Sequence, residues 1–257
     1  MSKQLTTQQF FNQPKIKQEF EKLLGKKSKG FITSVMQVVG NNSLLAKATP
    51  ESIFQAAAMS AVLDLPINNN LGEAYIVPYG GKAQFQLGYK GFITLAIRSG
   101  QYETISSTPI YKEQLIENDP LTGFKFDFTK PATGTPIGYA AYFKLHNGFS
   151  KVFYMSREDI GKHAKKYSKS INHSSSIWKS DFDGMAQKTV LKLLISKYGP
   201  KSLEMQKAVI SDQSVINDYS NDSFEYPDSN STENETKDIN QEFEDAEIIE
   251  DDDEDIV

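Results

Sequence analysis

Several residue types and patterns that carry chemistry are missing or scarce in this sequence of 257 residues. It has no cysteine, which excludes disulfides, thiolate nucleophiles and cysteine-ligated zinc or iron-sulfur sites. The three histidines, His146, His163 and His173, lack the i, i+4 spacing of a helical metal site. No run approaches the roughly 20 apolar residues of a membrane span, and no N-terminal segment has the pattern of a secretory signal. These absences predict a soluble cytoplasmic protein with no metal, no cofactor and no membrane contact.

Nucleotide-driven and hydrolytic chemistry also have little support. The phosphate-binding pattern G-x-x-x-x-G-K-[ST] is absent, and the Gly-Gly-Lys at residues 80–82 is too short to cradle phosphates. Two acidic pairs, Asp181 with Asp183 and Glu158 with Asp159, could hold Mg²⁺ in a nuclease. Both pairs fall at predicted helix N-termini, where carboxylates stabilise the exposed backbone amides, and we favour that capping interpretation. A Mg²⁺-dependent nuclease using Asp181 and Asp183 remains the alternative.

Charge is divided unevenly along the chain. Residues 1–210 contain 27 of the 28 Lys and Arg and 15 of the 33 Asp and Glu, a net charge of +12. Residues 211–257 contain one lysine and 18 acids, a net charge of -17. Lysine and arginine that neutralise phosphates release condensed counterions, so the basic part is typical of a nucleic-acid binder, although a merely solvated surface is the alternative. The acidic part has too few apolar residues to offset its ordering entropy and is predicted to be a disordered tail.

Hydrophobic periodicity predicts the order of the secondary-structure elements. Helices are predicted at residues 14–24, 31–39, 49–63, 88–99, 156–169, 180–198 and 202–209. Strands are predicted at residues 74–79, 82–87, 102–111, 124–128, 137–145 and 149–155. Gly80-Gly81 and Asn147-Gly148 are turn pairs, and Ser156 is a predicted helix N-cap.

This order predicts an α+β fold with N-terminal helices, a β-hairpin plus helix, a short antiparallel sheet and a long C-terminal helix. The disordered acidic tail completes it. The predicted organisation is an N-terminal helical segment at residues 1–30, a core at residues 31–210 and the tail at residues 211–257.

Basic residues form a stripe on one predicted helix. Lys162, Lys165, Lys166 and Lys169 are spaced i, i+3, i+4 and i+7, so one face carries four positive charges. Such charges repel each other and do not stabilise the helix, which indicates contact with a polyanion, with a solvated lysine face as the alternative. Lys188 and Lys192 are also four residues apart on the last long helix, which is weaker evidence of the same kind.

The predicted hairpin and the helix after it carry a second group of candidate contacts. Lys82, Gln84 and Gln86 alternate along one strand and are expected to share one polar face. Tyr89, Lys90 and Arg98 follow on the next helix. Lysine, arginine and glutamine can donate to phosphates, and Tyr89 and Trp178 could stack on bases, although packing is the commoner role of an aromatic ring.

Two long segments carry a resemblance to a known family. The sequence GEAYIVPYGGKAQFQLGYKGFITLAIRSGQY occupies residues 72–102, and SIWKSDFDGMAQKTVLKLLISKYGP occupies residues 176–200. Below they are called the first and second motif segments. In this order they closely resemble the two characteristic regions of the RecT family of phage annealing proteins, and the likeness covers residues 30–205.

The resemblance implies a binding protein and not an enzyme. Family members bind single-stranded DNA without ATP and anneal it to its complement. They remain bound to the annealed duplex and assemble into rings or helical filaments. They act with a partner exonuclease, and a host single-strand binding protein is a further expected partner because the acidic C-terminal sequence resembles the recruiting tails of those proteins. The alternative to an annealing protein, besides the nuclease, is an adaptor that binds other proteins.

The resemblance also carries candidate DNA contacts onto this chain. The residues from the first motif segment are Lys82, Gln84, Gln86, Tyr89, Lys90 and Arg98. The residues from the second are Trp178, Lys179, Lys188 and Lys192. For the tail, the expected roles are competition with DNA for the basic surface, docking of a partner, or simple solubility.

Overall fold

The computed structural model describes residues 5–168, 171 and 176–226. Its helices in this part of the chain are α1 (Thr7–Phe11), α2 (Pro14–Leu24), α3 (Ser28–Gly40), α4 (Pro50–Val62), α5 (Tyr89–Arg98), α6 (Arg157–Tyr167), α7 (Ile177–Ser180), α8 (Phe182–Tyr198) and α9 (Leu203–Ser211). Its strands are β1 (Ala74–Tyr79), β2 (Lys82–Leu87), β3 (Tyr102–Ile110), β4 (Leu115–Asp119), β5 (Gly123–Phe126), β6 (Gly138–Leu145), β7 (Ser150–Ser156), β8 (Val215–Asp218) and β9 (Ser223–Glu225). The predicted α+β class is confirmed.

The N-terminal helices share one core with the rest of the molecule. Proline at the first position of α2 has the backbone angle that a helix start needs. Phe11 and Phe20 are buried, and the Phe20 ring lies 5.4 Å from that of Phe54 on α4, edge to face. Val35 on α3 belongs to the same apolar cluster. Residues up to 30, which the sequence suggested as a separate segment, therefore pack with the predicted core.

The first hairpin forms as the sequence predicts. β1 and β2 pair antiparallel from Ala74 opposite Leu87 to Tyr79 opposite Lys82. Gly80 and Gly81 between them have φ of 54° and 81°, a conformation that residues with a Cβ rarely adopt. Helix α4 packs against β2, and α5 follows directly.

A three-stranded antiparallel sheet forms the second half of the core. Its strand order is β3-β6-β7, and α8 packs across all three strands, while α5 packs against β3 and α8. β4 and β5 form a separate hairpin beside this sheet. The rings of Phe124 and Phe126 in β5 lie 5.5 and 6.0 Å from that of Tyr154 in β7, which fixes the hairpin to the sheet edge.

The C-terminal part of the described chain is more ordered than the composition suggested. After α9, Gln213 donates its backbone amide to Phe85 of β2, and Phe85 donates to Ser214, each at 3.0 Å. Val215 and Ile216 are then buried as β8 packs against α4. The prediction of a disordered tail from residue 211 is therefore wrong for residues 211–226, because these few apolar side chains find partners far away in the sequence. The remaining predicted tail, residues 227–257, lies outside the described residues.

Candidate nucleic-acid interface

The two motif segments meet at one place in the fold. The end of β2 and the start of α5, from the first segment, lie against the start of α8, from the second. The side-chain amide of Gln86 donates to the sulfur of Met185 at 3.8 Å across this junction. Residues about a hundred positions apart in the sequence thus pack against each other at this junction.

Glycines bring the backbone of this junction together. A Cβ at Gly88 would lie 2.0 Å from the carbonyl oxygen of Gly72, and one at Gly91 would lie 2.3 Å from that of Glu73. Gly88 also donates its amide to Glu73 at 2.8 Å. Only glycine permits this approach, so the spacing glycine-tyrosine-lysine-glycine places the residues between the two glycines, Tyr89 and Lys90, at the junction.

Aromatic and cationic side chains lie side by side there. The Tyr75 hydroxyl and the Lys90 side chain lie close together, since a Cβ at Gly72 would lie 3.2 Å from the hydroxyl and 3.4 Å from Cδ of Lys90. Burial raises the pKa of the Tyr75 hydroxyl, and the nearby charge of Asp181 raises it further. Tyr75 and Tyr89 are half-buried, so part of each ring faces solvent. Lys90 is exposed and forms no ion pair with any residue that the structure describes. Half-exposed rings beside an unpaired ammonium group suit a nucleic-acid strand.

An arginine is held at the same end of α8. The guanidinium carbon of Arg157 lies 4.0 Å from the centroid of the Phe182 ring. Its Nη1 donates to the hydroxyl of Tyr139 at 2.7 Å and lies 3.5 Å from Oδ1 of Asp183. Burial raises the pKa of Tyr139, and its hydrogen bond to Asp183 raises it further. The hydroxyl therefore stays protonated and donates a hydrogen bond to that carboxylate. The sequence prediction missed Arg157, although Phe182 stands inside the second motif segment.

The predicted polar face of β2 does not exist. Gln84 and Gln86 are both buried, at 5% and 7% exposure, because Gln213 after α9 contacts the first and Met185 of α8 contacts the second. Gln84 donates its side-chain amide to the carbonyl of Gln213. Both glutamines are thus engaged within the protein in this conformation, and their contact with DNA stays a prediction. Lys82, on the same strand, is exposed and pairs with Glu225 at 2.8 Å.

Lys188 is also buried, in contrast to its predicted role on a basic stripe. Its ammonium lies 2.8 Å from the carboxylate of Asp212, whose side chain is completely buried. Lys192, about a third exposed, pairs with the other oxygen of Asp212 at 3.0 Å. The backbone amide of Leu87 donates to Asp212 at 2.9 Å. This buried cluster holds β2, α8 and the residues after α9 together. Lys188 thus has a structural role in this conformation, and its contact with DNA stays a prediction.

Two further predicted contacts have structural roles. Arg98, the last residue of α5, donates to the carbonyl oxygens of Leu63 and Asp64 at 3.0 and 2.7 Å and so closes the end of α4. Trp178 is buried at 8% exposure, and its ring meets that of Phe182 edge to face at 5.6 Å. The indole therefore packs behind Phe182, which makes it a poor base-stacking platform but a close neighbour of the surface.

The lysine stripe is only partly seen. Helix α6 ends at Tyr167, and Lys169 lies outside the described residues. Lys162 pairs with Glu158 at 2.8 Å, whereas the side chain of Lys166 lies 4.8 Å from the Tyr167 ring. Lys165 and Lys179 are exposed. These four lysines, Lys162, Lys165, Lys166 and Lys179, stay candidate contacts.

The acidic pair of the second motif segment is engaged within the protein. Asp181 caps α8 by accepting the amide of Gly184 at 2.9 Å, which confirms its predicted capping role. Asp183 accepts from Tyr139 and Arg157. In the described ranges no three His, Asp or Glu side chains are grouped to hold a metal. No helix in those ranges is long and apolar enough to cross a membrane.

Comparison with known proteins agrees with the motif segments. The model of the RecT family matches residues 29–246. The uncharacterized protein YqaK of Bacillus subtilis strain 168 is 48% identical over 206 residues, which cover 80% of this chain and 71% of YqaK. Protein RecT of Escherichia coli strain K12 is 28% identical over 224 residues, which cover 79% of each chain. The chain therefore belongs to the RecT family, whose members anneal single-stranded DNA in recombination.

Proposed function

We propose that this protein binds single-stranded DNA at the junction of its two motif segments and pairs it with a complementary strand without ATP or metal. The observation that carries the proposal is the exposed Lys90, which forms no ion pair within the described ranges, beside the half-exposed ring of Tyr75 and next to that of Tyr89. Lysine neutralises a phosphate, and aromatic rings stack on bases of any sequence. Binding of this kind is strong, sensitive to salt and poorly selective for sequence, which suits a protein that must anneal arbitrary complements.

Overall charge supports the same proposal. Residues 1–226, which contain all of the described residues, carry 27 Lys and Arg and 19 Asp and Glu, a net charge of +8. A positive body attracts the DNA backbone from a distance and speeds encounter at low ionic strength. The sequence contains no phosphate-binding loop, in keeping with annealing that uses binding energy alone.

The experiment that tests the proposal is an annealing assay with two complementary labelled strands. Duplex formation is expected to accelerate with protein, equally with and without ATP and Mg²⁺. Cleavage of the strands that requires Mg²⁺ would support a nuclease instead. Failure to bind or anneal the strands at low salt would reject the proposal and favour an adaptor.

A variant pair locates the activity at the junction. Lys90→Gln should weaken binding and lower the log-log salt slope by roughly 0.7, the loss of one phosphate contact. Lys201→Gln is the matched control, since Lys201 is exposed just beyond the far end of α8, about 25 Å along the helix from Asp181. Equal effects of the two changes would argue against a localised interface.

Assembly and partners belong to the same proposal. One body covers only a short stretch of DNA, so annealing long complements requires many copies side by side as a ring or helical filament. A partner exonuclease would expose the single strand in the cytoplasm, and a host single-strand binding protein would be displaced from it. Light scattering should show growing particles when complementary strands are added in sequence. A protein that stays monomeric under these conditions would reject the proposed assembly.

A further inference from the structure

Arg157 is held in a fixed orientation by three neighbouring side chains. Phe182 covers one face of the guanidinium group, and Nη1 is anchored by Tyr139 and Asp183. A long side chain loses much rotamer freedom when it is fixed in this way, and partly exposed ion pairs return little stability. An arginine fixed in advance binds an incoming anion without that entropy cost at the moment of binding.

The unused part of the guanidinium group faces outward. The Arg157 side chain is 37% exposed. Its Nε and Nη2 donate to no residue in the part of the chain that the structure describes. Two parallel N–H groups match the spacing of two phosphate oxygens, a geometry that lysine cannot offer.

Arg157 lies next to the surface already described. Phe182, on which it stacks, is the first residue of α8, and α8 packs against α5, the helix that carries Lys90. We expect a strand bound at Lys90 and Tyr75 to continue along the start of α8 toward the guanidinium group. The carboxylate of Asp183 weakens this attraction only in part, because it is half exposed and its charge is screened by water.

We propose that Arg157 binds a backbone phosphate of single-stranded DNA through Nε and Nη2, with Phe182 supporting the guanidinium plane and Tyr139 and Asp183 orienting it. This inference rests on the proposed DNA-binding function and adds a specific contact to it. Arg157 is the binding residue, and Tyr139 is a positioning residue that acts through it.

The test measures affinity for a short labelled oligo(dT), which cannot anneal, over a range of salt concentrations. Arg157→Gln should raise Kd about tenfold at low salt, because a charge-assisted bidentate contact is lost. It should also lower the salt slope by roughly 0.7. Arg157→Lys should keep the slope but regain only part of the affinity, since a lysine cannot bind a phosphate bidentately. Lys201→Gln again serves as the control, with no change expected.

A double-mutant cycle separates positioning from general stability. Tyr139→Phe keeps the buried ring and removes only the hydroxyl that holds Nη1. It should weaken DNA binding in the parent protein and have no further effect on binding when Arg157 is already glutamine. Equal losses in both backgrounds would mean that Tyr139 acts on the fold alone and would overturn its positioning role.

A readout in the unmodified protein does not depend on how the variants fold. Trp178 is the single tryptophan of the chain, and its ring contacts Phe182. Saturating DNA should therefore change its fluorescence. Unchanged Trp178 emission at saturation, or parental affinity and salt slope in Arg157→Gln, would overturn the contact at Arg157. If Lys90→Gln still weakens binding in that case, the proposed function stands without this inference, whereas a parent that binds no DNA rejects both.

Discussion

Replacing Asp212 with asparagine should destabilise the protein strongly. The buried carboxylate of Asp212 lies 2.8 Å from the ammonium of Lys188 and 3.0 Å from that of Lys192. Asparagine keeps the shape and can still accept the Leu87 amide, but it leaves the Lys188 ammonium, with 6% of its side chain exposed, beside a second ammonium and without a counter-charge. Removing one partner of a buried ion pair costs about 3–5 kcal/mol.

Urea unfolding at neutral pH measures this cost. For a chain of this size the loss corresponds to a fall in Tm of roughly 6–20 °C. Asp222→Asn is the matched control, since Asp222 is half exposed, pairs with Lys207 at 3.4 Å and has a φ of 50° that asparagine tolerates. Its expected effect is within about 0.5 kcal/mol. A loss below about 1 kcal/mol for Asp212→Asn, at an unchanged m-value, would refute the existence of a dry ion cluster.

The pH dependence of this effect follows from the pKa of Asp212. Burial by itself raises that pKa, but the charges of Lys188 and Lys192 and the hydrogen bonds to the carboxylate bring it below its ordinary value of 3.8. A carboxyl with a lower pKa in the folded than in the unfolded state adds stability above the unfolded pKa and loses it as pH falls through the folded one. The stability difference between the parent and Asp212→Asn should therefore be full at neutral pH and shrink below about pH 4.

Three further changes test other parts of the structure. Gly88→Ala should cost about 1–3 kcal/mol or more in thermal unfolding, since its Cβ would lie 2.0 Å from a backbone oxygen of Gly72, and a neutral result would refute that close approach. Arg98→Ala should lower stability by about 1–3 kcal/mol and leave DNA affinity unchanged. A loss of affinity without a loss of stability would mean that Arg98 contacts DNA. Truncation after Tyr226 removes 14 of the 33 acids and should tighten DNA binding most at low salt without lowering Tm, whereas truncation after Ile210 also removes Asp212 and should destabilise the fold. Identical affinity of the chain truncated after Tyr226 and the full chain at every salt concentration would exclude competition by the tail.

Short-range features could be predicted from the sequence alone. The turn at Gly80-Gly81 has the positive φ angles that were expected, and Ser156 caps α6 by accepting the amide of Asp159. Asp181 caps α8 in the same way. Each of these depends on residues within three or four positions, so local steric and hydrogen-bonding rules suffice. The family could also be predicted, because two long motif segments in a fixed order are a specific pattern.

Burial could not be predicted in the same way, because it depends on what packs from elsewhere in the chain. The alternation of polar and apolar residues in β2 predicted an open polar face, yet the segment after α9 covers Gln84 from about 130 positions away. The sequence predicted Lys188 as a surface charge, but in the fold it forms a buried ion pair with Asp212, which lies 24 positions later. The same packing extends the ordered chain past residue 211 to 226.

Composition, charge and local pattern thus determined the fold class, the turns and caps and the expectation of DNA binding, and the resemblance of the two motif segments indicated the family. Tertiary structure decided which of the candidate residues are available for DNA. It placed Lys90 in solvent and Lys188 in a buried ion cluster, and it brought Arg157 onto Phe182 although the two residues are not neighbours in the sequence. The physical reason is that the free energy of a charged side chain depends on its desolvation and its partners, and both are set by contacts between distant segments.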